Sequence, residues 1–127
     1  MDAPRPSRHD LMERRLAWIE QRQRVLAENV SNADTPGFRP RDVTPFREVL
    51  QRTAPELART SDRHLRPAGD PQVRRDRQAA EVAPNGNAVS LDREALRIAE
   101  TDQAHALTLG LQRRWGAMYR TALGRGS

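Results

Sequence analysis

Large apolar residues are gathered into two stripes, one near each end of the 127-residue chain, and this distribution limits the fold more than any motif does. From Leu11 to Val30, positions Met12, Leu16, Ile19, Leu26 and Val30 follow the 3, 4 alternation of a helical face, with Gln23 as its polar member. Trp18, Val25 and Ala27 widen the face. Ser7 followed by Asp10 has the form of a capping box, which places the helix start there, and the Asn-Ala-Asp-Thr-Pro-Gly run from Asn32 to Gly37 ends it. The second stripe begins after Ser90, a good N-cap, with Asp92 and Glu94 in the first turn where the helix dipole favours negative charge. It runs through Leu91, Ala95 and Ile98 into Ala104, Leu107, Leu111, Trp115, Met118 and Ala122. A helix from Ser90 to Leu123 is about 50 Å long, more than a compact domain of this size requires. Ala99, Ala106, Gly110, Gly116 and Ala117 lie on or beside the seam and would let another helix approach closely.

Two such stripes face one another only if the chain doubles back. The expected fold is therefore mainly α, with terminal helices at 1–33 and 90–127 paired as a coiled coil. Between them, 34–50 reads as a turn and a short helix. Pro36 and Gly37 suit the two central positions of a type II turn, and Thr44-Pro45 has the order of an N-cap and first-turn proline ahead of Phe46, Val49 and Leu50. Segment 51–89 carries Pro55, Pro67, Pro71 and Pro84, Gly69 and Gly86, and the basic cluster Arg74, Arg75 and Arg77, with few large apolar residues. Ordering such a stretch costs about 1 kcal/mol or more per residue in backbone entropy, so an irregular segment, mobile in the isolated chain, is expected. One helix pair leaves an apolar flank on each member, which points to assembly with further partners.

Composition removes several alternatives. With 36% hydrophobic and 4% aromatic residues, the chain has material for only a small core of its own. All 22 basic residues are arginine, which excludes chemistry that needs a lysine amine, and the absence of cysteine excludes disulfides and thiolate metal sites. His9, His64 and His105 have no second histidine at ligand spacing, so neither a metal nor a cofactor is expected. His105 reads as a helix-packing or partly exposed residue. Glu94 and Glu100 share a helix with Arg93 and Arg97 at short spacing and read as a solvated, ion-paired face rather than an acid/base pair. No constellation of nucleophile, base and oxyanion donor can be written, so the chain reads as non-enzymatic. Neither a membrane-spanning run nor the apolar region of a cleavable signal peptide is expected.

The net charge of +5 raises nucleic-acid binding as a rival reading. However, the arginines are interleaved with 17 acidic residues over the whole length, and the aromatics sit mostly in helix stripes or turns. No basic stripe or binding motif accompanies the charge.

The run from Val25 to Phe38, Val-Leu-Ala-Glu-Asn-Val-Ser-Asn-Ala-Asp-Thr-Pro-Gly-Phe, closely resembles the N-terminal signature of the bacterial flagellar rod and hook family, N-[IV]-[SA]-N-x-x-T-P-G-[FY]. Thr60 to Leu65 is similar to the family's T-x-x-x-H-[LI] element. Asn85 to Leu91 resembles the D-G-N-x-V-D-[LM] element, with Asn85 and Ser90 in place of aspartates. Arg113 to Leu123 is similar to the C-terminal close of the proximal rod members, with Tyr119 as an extra residue, and the short chain without a long β-rich insertion also resembles them.

The resemblance implies a structural subunit whose terminal helices pair and pack against neighbours to build the helical tube of the rod. Its implied partners are other flagellar rod proteins and the base of the rod near the export gate and MS ring. Neither nucleic acid nor integral membrane insertion is implied. The implied location is the periplasmic rod of the basal body, reached through the flagellar type III export channel with an uncleaved N-terminus. In this frame Asn29 and Asn32 would satisfy carbonyls at the helix end, Thr35, Pro36 and Gly37 would fix the turn, and Phe38 would anchor the segment leading away. Leu16, Ile19, Leu26 and Val30, with Ile98, Leu107, Leu111, Trp115 and Met118, would form the packing stripe.

Overall fold

Helix α1, Arg8–Ser31, starts where local chemistry dictates: the Ser7 hydroxyl accepts from Asp10 N–H, and the Asp10 carboxylate accepts from Ser7 N–H, both at 3.1 Å. These reciprocal bonds hold the Asp10 carboxyl below the usual carboxylate range. The computed structural model describes residues 7–57, 72–76 and 88–124. In chain order these hold α1, strand β1 (Arg41–Val43), helix α2 (Phe46–Leu57), strand β2 (Val73–Arg75) and helix α3 (Leu91–Gly124), a mainly helical fold with long helices near both ends.

The long helices pair antiparallel. Asn29 meets Glu94, Gln23 Nε2 donates to Asp102 Oδ1 at 3.1 Å, and the Arg8 guanidinium lies 4.5 Å from the centre of the Trp115 ring. Gln23, the polar member of the first stripe, thus makes a cross-helix bond. At about 1.5 Å per residue α3 is roughly 15 Å longer than α1, so 116–124 continue past the level where Arg8 reaches Trp115.

Between the helices the chain forms an antiparallel ribbon that the sequence reading did not contain. Arg41 pairs with Arg75, Asp42 with Arg74 and Val43 with Val73. The ribbon is tied at both ends: Thr44 N–H donates to Gln72 O at 2.9 Å, and Asp76 N–H donates to Pro40 O at 3.0 Å. Thr44 departs from the capping role expected of it. Its hydroxyl donates to Gln72 O at 2.8 Å, while the Pro45 carbonyl accepts from Glu48 and Val49 to open α2. α2 also runs on to Leu57, beyond the short helical piece expected to end near residue 50.

Trp18, Ile19, Val25 and Val43 form the buried core, with Phe46, Val49, Val73 and Ala104 packed against it. Trp18 organises this cluster: its Nε1 donates to Thr44 O at 2.7 Å, and its ring meets Phe46 at a centroid distance of 6.0 Å. The Arg15 guanidinium sits 4.7 Å from the Trp18 ring centre and 4.9 Å from that of Phe46, adding cation–π attraction to the join between α1 and α2. Most of segment 51–89, including Thr60–Leu65 and Asn85–Asn87, lies outside the described residues. The part that is described, 72–76, contains β2.

Candidate functional site

The signature run sits at the junction where α1 ends and the ribbon begins. Asn32 closes the helix. Its N–H donates to Glu28 O at 3.1 Å, its side-chain Nδ2 donates to the same oxygen at 2.9 Å, and the Thr35 hydroxyl donates to Asn32 Oδ1 at 3.2 Å. Phe38 N–H donates to Thr35 O at 3.2 Å, and Gly37 has φ +76°. With Pro36 at the preceding position this is a type II turn, whose third residue needs the positive φ that glycine adopts without strain. Phe38 is half-buried beyond it.

Asn29 has a different task from the one expected. Rather than capping a helix carbonyl, its amide pairs with the main chain of Arg41: Oδ1 accepts from Arg41 N–H at 3.0 Å and Nδ2 donates to Arg41 O at 2.7 Å. The second Nδ2 hydrogen serves Glu94 Oε2 at 3.1 Å. One fully buried amide thereby joins α1, β1 and α3. It can do so because it offers an acceptor and two donors in one plane: one donor and the acceptor complement the C=O and N–H of a strand residue, which leaves the second donor for the carboxylate.

Glu94 and Arg97 also depart from expectation, since neither belongs to a solvated face. Glu94 is 1% exposed and Arg97 8%. Arg97 Nη1 donates to Asp76 Oδ2 at 2.6 Å and lies 3.4 Å from Glu94 Oε1. Burial pushes the Glu94 carboxyl above its ordinary value, against the opposing pull of the Asn29 bond and the Arg97 charge. For Arg97, burial works against the charge, but Asp76, Asp42 and Glu94 together outweigh it and hold the guanidinium above its ordinary value. Glu100 stays exposed, and His105 is half-buried.

The expected packing stripe divides in two. Leu16 is half-buried, Ile19 and Leu26 are fully buried, and Ile98 is half-buried. Val30 remains partly open at the helix end. Leu107, Leu111, Trp115 and Met118 are exposed, at 64%, 44%, 40% and 57%. The residues of α3 that turn inward are Glu94, Arg97, Thr101 and Thr108. The threonines can face α1 because their hydroxyls donate back to their own helix, Thr101 to Arg97 O at 2.6 Å and Thr108 to Ala104 O at 2.8 Å. Among the described residues no buried side-chain nitrogen or oxygen lacks a partner. A sequence signal for this face existed: Glu94, Arg97, Thr101 and Thr108 form their own row at spacings of 3, 4 and 7, centred roughly a fifth of a turn from Leu107, Leu111, Trp115 and Met118 at ~100° per residue.

Many arginines are committed within the molecule. Arg22 chelates Asp42 through Nε and Nη2, both at 3.1 Å, Arg41 pairs with Glu28, and Arg74 lies 3.6 Å from Glu48. Among the described residues no cluster of His, Asp or Glu could hold a metal ion, and no helix is long and apolar enough to cross a membrane.

Comparison with known proteins bears on the same junction. The sequence profile of the family described as flagella basal body rod protein matches residues 14–39, from the middle of α1 through the turn at Gly37. The flagellar basal body rod protein FlgB of Agrobacterium fabrum is 43% identical over 58 residues, which cover 44% of this chain and 43% of that protein. FlgB of Escherichia coli is 33% identical over 103 residues, covering 70% of this chain and 72% of the relative. FlgB of Yersinia enterocolitica is 35% identical over 92 residues, covering 63% and 66%. None of these names favours the nucleic-acid reading.

Proposed function

The chain belongs to the flagellar basal body rod protein family, and from that premise we propose that it is a structural subunit of the proximal rod, the part of the flagellar drive shaft nearest the export gate and MS ring. Its role is mechanical rather than catalytic, and its partners are other rod subunits, including copies of itself.

The observation that carries this reading is the inversion of α3. A helix that ended its packing with α1 would turn its leucines inward. Here α3 turns Glu94, Arg97, Thr101 and Thr108 inward and presents Leu107, Leu111 and Met118 outward. Burying one such side chain contributes about 1.5–3 kcal/mol. Against the several kcal/mol lost in immobilising a subunit, one leucine is too little, whereas a row repeated at every contact is enough. Identical subunits joined by a contact of unlike surfaces that does not close on itself form a helical array, the symmetry a tubular shaft needs. Passage to the periplasmic rod through the flagellar export channel with an uncleaved N-terminus fits a chain whose own core is small. Such a chain costs little to unfold for threading, and its order is completed by neighbours.

The test is a chain with Leu107→Asp and Leu111→Asp expressed from its native locus. The expected result is loss of swimming and of assembled rods with the subunit still produced at its normal level. Normal swimming would overturn the reading.

A further inference from the structure

The junction holds more ionisable chemistry than a helix end needs. Glu94, Arg97 and Asp76 are all nearly excluded from solvent, with side chains 1%, 10% and 6% exposed. They stand where three parts of the molecule meet: Asn29 from α1, the Arg41 main chain from β1, and the residue that follows β2. We propose that Glu94, Arg97 and Asp76, gathered over Asn29, form a buried latch that holds the ribbon and α3 to the end of α1, and that pH controls its closure through the Glu94 carboxyl.

The groups facing Glu94 among the described residues can be named element by element. From α1 comes the neutral Asn29 amide, and from α3 itself the Arg97 guanidinium. The strands contribute two carboxylates, Asp42 of β1 and Asp76 after β2, whose charges both oppose ionisation of Glu94. Asp42 is in turn chelated by Arg22 of α1, and Asp76 Oδ2 accepts from Arg97 Nη1. Glu94 is the most deeply buried of these three carboxyls, its side chain 1% exposed against 6% for Asp76 and 22% for Asp42, and Arg97 Nη1 stands 3.4 Å from it while bonding Asp76 at 2.6 Å.

Glu94 is the group that takes the proton. Its burial disfavours the anion most, and the Asn29 Nδ2 bond survives protonation because a carboxyl carbonyl still accepts. The folded chain therefore binds this proton more tightly than the unfolded chain does. The sign follows: the latch is weakest above the raised folded value of Glu94, tightens as pH falls through it, and gains nothing more below the ordinary glutamate value. Because the inward face of α3 is polar, this junction sets how firmly the ribbon stays docked, independently of the outward leucines.

The experiment follows the helicity of the full-length chain by circular dichroism between about pH 8 and about pH 5. In parallel, nuclear magnetic resonance follows the Asn29 side-chain Nδ2 protons. The expected result is a rise in helicity on acidification whose midpoint lies above the ordinary glutamate range, with the Asn29 protons moving at the same midpoint. Glu94→Gln, which carries the neutral form at every pH, should show the acid-form helicity already at neutral pH and lose this titration. A second variant, Leu107→Asp, should keep the titration unchanged, which separates the latch from the assembly surface. Helicity that does not change with pH, a change retained in Glu94→Gln, or Asn29 protons that titrate at or below the ordinary glutamate value would each overturn the proposal.

Discussion

α1 and α3 lie along one seam but bring opposite chemistry to it. α1 buries Trp18, Ile19, Val25 and Leu26 and is largely satisfied within the chain. α3 buries Glu94, Arg97, Thr101 and Thr108 and leaves Leu107, Leu111 and Met118 in solvent. The two helices are therefore satisfied to different degrees: α1 is held by its own subunit, whereas α3 leaves its large apolar side chains in solvent, the face that the proposed assembly would use. A polar inner face also suits a contact meant to be specific rather than merely strong, because buried hydrogen bonds and ion pairs tolerate only one register.

The contrast breaks most visibly if the satisfied helix is cut. Leu26→Ala should destabilise the full-length chain by about 2–5 kcal/mol in chemical denaturation, the range for a fully buried leucine that leaves a cavity. A loss no larger than that of a surface substitution would mean that α1 is not the internal anchor. Next in size comes Asn29→Ala, which strands both the Arg41 N–H and C=O away from water. The expected loss is about 1–3 kcal/mol, the penalty for unsatisfied buried groups. It should appear first as faster amide exchange in β1.

Gly37→Val is expected to cost about 1–2 kcal/mol, because a side chain at φ +76° is strained although the space around Gly37 is open. It should block rod assembly while leaving export intact. Gly37→Asn, which tolerates the left-handed region, should restore much of the assembly.

The other helix sharpens the comparison in the opposite direction. Leu107→Ala should change subunit stability by no more than about 0.5 kcal/mol, yet reduce rod assembly in a swimming assay. Equal damage to stability would place Leu107 in the core and sink the contrast.

Smallest is the capping box. The Asp10 carboxyl is held low by Ser7, so its contribution is present above the ordinary carboxylate range and is lost as pH falls through its depressed folded value. Helicity at the start of α1 should decline only in strong acid, and Ser7→Ala should remove that step. The direction is opposite to that of Glu94, so the two ends of the paired helices are separable by pH alone.

How much of this was legible follows the range of the forces involved. The Ser7–Asp10 box, the Asn32 end and the Gly37 turn involve residues within four positions of each other, so their spacing predicts their bonds. The three-residue strands carried no such signal. Arg-Asp-Val and Val-Arg-Arg show little β alternation, and their pairing joins Arg41 to Arg75 across the chain. The role of Asn29 was hidden for the same reason, since its partners are Arg41 and Glu94. Glu94 and Arg97 read as a surface ion pair because their short spacing is equally compatible with water or with burial.

The sequence alone determined that two long helices form, where the first begins and ends, and that the apolar content exceeds what one pair can cover. Those properties come from periodicity, capping and turn chemistry, which act along the chain. Tertiary structure decided which face of α3 turns inward. That choice depends on what α3 meets: Asn29 and Asp76 offer exact partners for the polar groups of Glu94 and Arg97, so the polar row could be buried without an unpaired group. The leucines lose less by remaining in solvent than those polar groups would lose by being buried unpaired.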